Sequence, residues 1–318
     1  MKKSLLLLAL AMLSLGSFAQ QDPQLTHWMF DRISFNPAAA GIYRQHSASI
    51  FYRTQWVDYS GQPKTALFNY NGYYKLGGHD FGFGASFFND HIGQQTNNNL
   101  RLSASYMHDL GGKTLAVGVN AGFFGQQLGK DFNPVDKTDA VVPNKAISQS
   151  TGDAGIGVMI YDQDKYYFGV SATHLPGLTL DKVGYKMARH LYAMGGYNFK
   201  MGEGPLVLRT NALVKTDLKA SPTMDFNANI LWNDMLWFGA SFRPGDAISP
   251  MTGIQYKFAP IVNGRKTTDL KLMFGYAYDV TTSDIRTYSS GSHEIFLTLF
   301  WNILEVPVKA KYGNPRFL

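Results

Sequence analysis

The 318-residue sequence contains no cysteine, few charged residues and, after Leu15, no long apolar run. Without cysteine the chain can form no disulfide framework and carries no site for an amino-terminal lipid. Charged residues make up 16% of the sequence, well below the roughly 25% that is typical of soluble domains. A membrane-spanning helix needs roughly 20 apolar residues, so the sequence excludes a helical membrane domain beyond its first residues.

The beginning of the chain has the pattern of a secretory signal peptide. A basic pair, Lys2 and Lys3, precedes an apolar run from Leu5 to Leu15 and a small-residue site that ends at Ala19. We therefore expect residues 1–19 to be cleaved and the mature chain to leave the cytoplasm. The net charge of +6 comes from basic residues that are scattered rather than clustered, which gives no support for nucleic-acid binding.

Most of the mature sequence alternates between apolar and polar residues with a period of two, as in a strand that has one apolar and one polar face. The first example is the pair of runs from Ser47 to Tyr74, joined by a loop that contains Gly61 and Pro63. Phe51 and Leu67 are the apolar residues that fall on the polar face. Alternation alone fits either a soluble sandwich or a membrane barrel, because both have two unlike faces.

The lengths of the links between these runs favour the membrane barrel. Long links such as 128–151 and 176–188 alternate with short ones such as 75–78 and 233–234, and 259–268 breaks the rule. Transmembrane barrels sort their loops in this way, whereas sandwiches have no reason to do so. With roughly ten residues per strand, the sequence predicts an all-β fold, a transmembrane antiparallel β-barrel of about 14 strands. Aromatic residues near run ends are expected to form interfacial girdles. They are Tyr161, Tyr166, Tyr167, Trp232, Trp237, Tyr276, Tyr278 and Trp301.

The predicted division of the chain is a signal peptide (1–19), a periplasmic segment or plug (20–44), the barrel (45–302) and a periplasmic tail (303–318). Asp22 and Pro23 fit the start of a helix, and a helical stripe follows, so we expect a short N-terminal amphipathic helix. Small residues on inward faces leave room for a packed plug or a passing chain, although a narrow lumen predicts the same composition. The stripe consists of Leu25, Trp28, Met29 and Ile33, and the small residues include Gly82, Gly84, Gly155 and Gly157.

A series of short motifs runs along the mature chain. The motifs are Gln21-Asp22-Pro23-Gln24, Asn36-Pro37-Ala38 with Gly41, Tyr52-Arg53 with Gln55-Trp56, Gly61 with Pro63-Lys64-Thr65, Asn89-Asp90 with Gly93, Trp237-Phe238-Gly239-Ala240-Ser241 with Arg243, Tyr276-Ala277-Tyr278-Asp279, and Ser292-His293-Glu294-Ile295. In this order and spacing they resemble the PorP/SprF family of outer-membrane proteins of the type IX secretion system, and the resemblance covers essentially the whole mature chain.

This resemblance implies an outer-membrane β-barrel that works with periplasmic ring and peptidoglycan-binding components. It implies a role in protein export, in surface attachment of cargo or of an adhesin C-terminal domain, and sometimes in gliding. The expected contact segments are Gln21 to Gly41, Ala259 to Thr268 and Val306 to Leu318. The candidate partner-contact residues are Gln21, Asp22, Pro23, Asn36, Pro37, Arg53, Trp56, Lys309, Lys311 and Arg316.

No pattern of residues predicts catalysis, a cofactor or a metal. His293 and Glu294 are adjacent on one strand and therefore point to opposite faces, which argues against a shared acid–base role. The eight histidines lack the spacing of a metal site. Three arginines, Arg53, Arg209 and Arg243, are expected to face inward, either as a functional feature or as paired lumen charges such as Arg209 with Asp225.

We therefore predict a non-enzymatic interaction barrel, held in the outer membrane by its lipid-facing residues. The alternative is an outer-membrane channel or hydrophobic-substrate transporter that acts alone, because a polar inward face and a plug would serve either role.

Overall fold

The structure, a computed structural model, is a closed antiparallel β-barrel. It describes residues 24–130, 132, 145–162, 165–219, 221–258, 261–262, 265–266 and 270–302. The strands are β1 (His46–Thr54), β2 (Lys64–Leu76), β3 (His79–Ile92), β4 (Gln95–Asp109), β5 (Thr114–Leu128), β6 (Ile147–Asp162), β7 (Tyr166–Thr173), β8 (Leu178–Leu180), β9 (Tyr185–Met187), β10 (His190–Lys200), β11 (Leu206–Thr216), β12 (Thr223–Trp232), β13 (Leu236–Arg243), β14 (Ala247–Phe258), β15 (Ile261–Val262), β16 (Arg265–Lys266), β17 (Leu270–Thr281) and β18 (Ser292–Trp301). Fourteen of them form the barrel, in which each strand pairs with the next and β18 pairs with β1, while β8–β9 and β15–β16 are separate hairpins.

The register of the barrel puts apolar residues on its outer face and polar residues in its lumen. Ser49 on β1 lies opposite Asn69 on β2, and both are buried. The next residues in the register, Ile50 and Phe68, are 54% and 48% exposed on the outer face. This arrangement is that of a transmembrane barrel, so the predicted fold class is confirmed. No helix in the described part of the chain is long and apolar enough to cross a membrane.

The two ends of the barrel differ in the length of their connections. At the short-turn end the strands are joined by residues 77–78, 110–113, 163–165, 201–205, 233–235 and 259–269. At the long-loop end they are joined by residues 55–63, 93–94, 129–146, 174–189, 217–222, 244–246 and 282–291. Two connections at the long-loop end are nevertheless short, residues 93–94 and 244–246. The first is short because β3 and β4 stay paired up to Ile92 and Gln95.

Several aromatic residues point into the lumen rather than towards lipid. The girdle prediction is wrong for Tyr161, Tyr167 and Trp237, which are 2%, 7% and 0% exposed and belong to the hydrophobic cluster inside the barrel. Phe51 and Leu67, the two exceptions to the alternation, belong to the same cluster. Successive side chains of a strand point to opposite faces of the sheet, so the position of a residue in the strand decides whether its ring faces lipid or the lumen. The rings that face the lumen pack against apolar residues because the lumen holds polypeptide.

That polypeptide is the N-terminal segment, residues 24–45, which crosses the lumen from one end to the other. At the long-loop end the side chain of Gln24 donates to Asp225. At the short-turn end a guanidinium nitrogen of Arg44 lies 3.6 Å from a carboxylate oxygen of Asp80. Residues 1–23 and 303–318, which include the predicted signal peptide and tail, lie outside the described residues.

The predicted amphipathic helix is wrong over the described part of this segment, which forms three short 3-10 turns. They are Trp28–Phe30, Arg32–Ser34 and Pro37–Ala39. Backbone N–H groups that a helix would use internally donate to barrel side chains instead, as Thr26 and His27 do to Glu294. The barrel wall surrounds the segment, so its apolar residues are buried on several sides and need not form the single apolar face of an amphipathic helix.

Glycines on the inward faces of the barrel strands make room for the segment. A Cβ atom added at Gly82 would lie 2.0 Å from the carbonyl oxygen of Ala40, and one added at Gly118 would lie 2.4 Å from the backbone nitrogen of Ala38. Both contacts involve backbone, which moves less readily than a flexible side chain. The wall and the segment are therefore fitted at close range.

We expect Gly118→Val to destabilise the folded protein by about 1–3 kcal/mol, the usual effect of overpacking. The matched control is Gly152→Val on β6, where an added Cβ meets nothing within 4 Å. Urea unfolding in lipid vesicles, followed by tryptophan fluorescence, measures both. Equal losses in the two variants would contradict the close fit at Gly118.

Candidate functional site

The candidate site is the lumen itself, where an aromatic cluster surrounds the N-terminal segment. The rings of His27 and Phe296 lie 4.8 Å apart, and that of Phe30 lies 5.0 Å from Trp237 and 5.1 Å from Phe296. Trp28 is completely buried. Edge-to-face and offset contacts of this kind add about 0.5–1.5 kcal/mol each to the burial of the rings. The segment is thus fixed by packing, not merely threaded through the barrel.

A buried ion network fixes the start of the segment near the long-loop end. Arg53 contacts Asp279 at 2.7 Å and Glu294 at 3.4 Å, and all three side chains are at most 2% exposed. Glu294 also accepts from the backbone N–H groups of Thr26 and His27 and lies 2.8 Å from His27 Nδ1. The Thr26 hydroxyl accepts from Arg53 and donates to Asp279. Arg53, on β1, thereby links β17, β18 and the N-terminal segment.

A second network lies beside it and centres on Asp225. Its carboxylate contacts Arg243 at 2.6 Å and Lys215 at 3.0 Å, and Gln24 joins through both Lys215 and Asp225. The predicted pairing of Arg209 with Asp225 is wrong, because the register sets Arg209 opposite Asn229, to which it donates at 2.6 Å. The interpretation of inward arginines as paired lumen charges does describe Arg53 and Arg243, which contact Asp279 and Asp225.

Asn36 and Pro37 fix the middle of the segment against β5, β6 and β7. The Asn36 side chain donates to the carbonyl oxygens of Val158 and Val170, at 3.2 Å each, and accepts from the N–H of Ala38. Pro37 starts the third 3-10 turn. An amide in this position satisfies carbonyl groups of two neighbouring strands, so the Asn-Pro-Ala motif is a structural contact with the wall.

A third polar cluster lies between the segment and β4, β6 and the loop that follows β7. Asp153 lies 3.0 Å from His174 and 3.5 Å from Arg101. Arg101 also donates to the carbonyl oxygen of Ser34. In the part of the chain that the structure describes, no group of three or more histidine, aspartate or glutamate side chains is arranged to hold a metal ion.

Asp31 is the one carboxyl of the segment enclosed in the barrel interior, outside the membrane-spanning strands. It is 3% exposed and accepts from the side chain of Asn69. Burial raises its pKa to about 8. The folded protein therefore keeps Asp31 protonated at pH values where the same side chain is ionised in the unfolded chain. The contribution of Asp31 to folding stability falls as the pH rises from about 4 to about 8.

We expect Asp31→Asn to remove this pH dependence, since asparagine keeps the acceptor oxygen without the charge. Relative to the wild type, the variant gains on the order of 4 kcal/mol between pH 5 and pH 8, because each pH unit between the unfolded and folded pKa values of Asp31 costs the wild type about 1.4 kcal/mol. Urea midpoints measured at both pH values test this. Asp284→Asn, on an exposed loop, is the control, and a wild-type stability that rises over the same interval would contradict the prediction.

The structure places only four of the ten predicted contact residues. Asn36, Pro37 and Arg53 are buried in the lumen, and Trp56 lies in the loop after β1 with its ring 6.4 Å from that of Tyr59. The other six, Gln21, Asp22, Pro23, Lys309, Lys311 and Arg316, lie outside the described residues. Contact with a partner stays a prediction for all ten.

Four members of the first network, Thr26, His27, Asp279 and Glu294, were not predicted from the sequence to lie together. The available signal was an acidic residue on an inward position of each of the last two strands. His293 and Glu294 do point to opposite sides, as predicted: the ring of His293 lies 2.8 Å from the Tyr276 hydroxyl on the exposed side, while Glu294 is buried.

Comparisons with known proteins agree with this architecture. The family model described as type IX secretion system membrane protein PorP/SprF matches residues 17–299. Comparison with curated protein sequences returned no match. Among solved structures, the toluene transporter TbuX of Ralstonia pickettii is 10% identical with a TM-score of 0.51, over 86% of this chain and 93% of that one. Omp33 of Acinetobacter baumannii is 9% identical with a TM-score of 0.41, over 81% and 99%. At such identities the similarity to TbuX shows a common fold alone.

Proposed function

Because the chain belongs to the PorP/SprF family of type IX secretion system membrane proteins, we propose that it is a non-enzymatic docking barrel of that machinery. It holds periplasmic components, including a peptidoglycan-binding protein, at one end. At the other end it supports export or surface attachment of cargo such as an adhesin C-terminal domain. Its outward apolar residues hold it in the outer membrane.

The observation that carries this proposal is the occupied lumen. Residues 24–45 cross it, two ion networks fix their start, and Asn36 fixes their middle. A barrel that served mainly for passive diffusion would need an aqueous path. Here the aromatic cluster and both ion networks contact the segment, which favours a rigid platform that presents its ends to other proteins.

The two ends are then assigned by loop length. Short turns of outer-membrane barrels face the periplasm and long loops face the exterior, so the short-turn end is the docking end for periplasmic partners. The N-terminal segment starts at the exterior end and reaches the periplasmic end at Arg44. Cargo is held by the long loops and by the segment's first residues.

The test is purification of the tagged full-length protein from outer membranes, with identification of the proteins that co-purify. We expect periplasmic secretion components, and we expect fewer of them when Lys309, Lys311 and Arg316 are changed to glutamine. A protein that co-purifies with no such component and conducts ions alone in liposomes would overturn the proposal.

One observation favours the second candidate, a hydrophobic-substrate transporter. A cavity of about 230 Å³ opens near the long-loop end, with an apolar wall that includes Leu25, Phe35, Phe88, Phe124 and Met187. Uptake of a hydrophobic solute by liposomes that contain the purified barrel would support this candidate. Phe88→Asp, which puts a charge into the cavity, should then abolish uptake.

A further inference from the structure

A second cavity, of about 400 Å³, lies at the short-turn end between the N-terminal segment and strands β6 to β18. Three cationic side chains reach it from different elements: Arg32 from the segment, Arg209 from β11 and Lys271 from β17. Lys165 and Lys200 stand at its rim and are exposed. We call this space the basic vestibule.

The three inner cations lack carboxylate partners among the described residues. Arg209 donates through Nε to Asn229, while its Nη2 and the Nε of Arg32 are buried without a hydrogen-bond partner in the described structure. Among the described residues, two carboxylates line the vestibule, those of Asp162 and Asp234. The Asp234 side chain is 71% exposed, and one of its carboxylate oxygens lies 3.9 Å from the Lys257 ammonium. In contrast, Arg53 and Arg243 in the opposite half of the lumen each contact buried carboxylates.

Aromatic rings hold the cations in place instead. The guanidinium of Arg32 lies 3.9 Å from the centre of the Tyr167 ring, the Lys271 ammonium 4.1 Å from Phe300, and the Arg209 guanidinium 5.5 Å from Phe30. Such contacts orient a cation but leave its positive charge in place. Several like charges in a partly desolvated space favour the arrival of an anion.

We infer that the basic vestibule binds an acidic peptide segment of a periplasmic protein, whose carboxylates pair with Arg32, Arg209 and Lys271. The aromatic wall, with Tyr43 and Tyr167, offers apolar contact to the rest of such a segment. The chain's own tail carries Lys309, Lys311 and Arg316, and so has the wrong sign to fill the vestibule. This inference rests on the proposed docking role and names the chemistry of its periplasmic partner.

The experiment is calorimetric titration of the detergent-solubilised full-length protein with acetyl-(Glu)4-amide, and with acetyl-(Lys)4-amide for comparison. We expect binding of the acidic peptide alone, weakened by added salt. Arg209→Gln and Lys271→Gln should each lower the affinity about tenfold, the order of one lost charge-assisted hydrogen bond. Arg286→Gln, an exposed cation at the opposite end, is the matched control and should leave affinity unchanged.

Arg209→Lys and Lys271→Arg keep the charge and should bind the peptide, which separates loss of charge from loss of fold. Equal weakening by Arg286→Gln, or no binding of the acidic peptide, overturns the inference. Inorganic phosphate that binds as tightly as the peptide also overturns it, in favour of a small-anion site. If the vestibule variants lose the peptide yet still co-purify with periplasmic components, the docking role stands without this site.

Discussion

Replacing Arg53 with methionine should lower the free energy of unfolding by about 3 kcal/mol. Arg53 is 1% exposed and contacts Asp279 and Glu294, so its removal leaves two buried carboxylates with less compensation. Loss of one member of a buried ion pair typically costs about 3–5 kcal/mol. We expect a loss at the lower end of this range, because both carboxylates keep one partner in the variant: Arg243 lies 3.8 Å from Asp279, and His27 contacts Glu294. Urea unfolding in lipid vesicles measures the change.

The matched control is Arg44→Met, which breaks an ion pair at the other end of the lumen. The Arg44–Asp80 pair is 3.6 Å long, and its side chains are 37% and 18% exposed, so its loss should cost less than about 1 kcal/mol. Combining Arg53→Met with Asp279→Asn and Glu294→Gln should recover much of the lost stability, since no charge is then left unpaired. Equal losses for Arg53→Met and Arg44→Met would mean that burial of the network adds nothing.

The barrel wall could be predicted from the sequence because lipid imposes a rule on every strand. Each second residue must be apolar, and runs such as that of Ile50 on β1 follow this rule closely. The inward residues obey no such rule, since a polar side chain suits water and polypeptide equally well. Phe51 and Leu67 were the visible exceptions, and the structure explains both as contacts with the N-terminal segment.

The pairing of charges inside the lumen could not be predicted, because it depends on the stagger between strands. In the β11–β12 register Asp225 lies opposite Leu213, and Arg209 lies opposite Asn229. The carboxylate of Asp225 instead meets Arg243 from the strand on its other side. The sequence indicates that such charges face inward, but strand stagger decides which of them meet. For the same reason the sequence could not predict that Arg32, Arg209 and Lys271 in the basic vestibule have no carboxylate partner among the described residues.

Deleting residues 24–44 should convert a closed barrel into an ion-conducting pore. Barrels of about 8 strands are filled by their own side chains, whereas those of about 16–18 strands enclose a water channel. A 14-strand barrel lies between these limits, and here the segment occupies the space. Its removal leaves the outer apolar face intact, so the strands should still fold in lipid while water enters the lumen. Planar-bilayer recording should show stepwise current for the deletion variant and none for the full chain.

A variant that keeps the chain length guards against a failure to fold. Trp28→Ala with Asn36→Ala removes a fully buried ring and the amide that donates to Val158 and Val170. A buried tryptophan replaced by alanine costs about 3–5 kcal/mol, so the segment should leave the lumen part of the time and give intermittent current. Resistance of the folded barrel to unheated detergent confirms folding in each case. A folded deletion variant without current would show that the barrel wall closes the lumen by itself, and an occupied lumen could then no longer distinguish a docking platform from a channel.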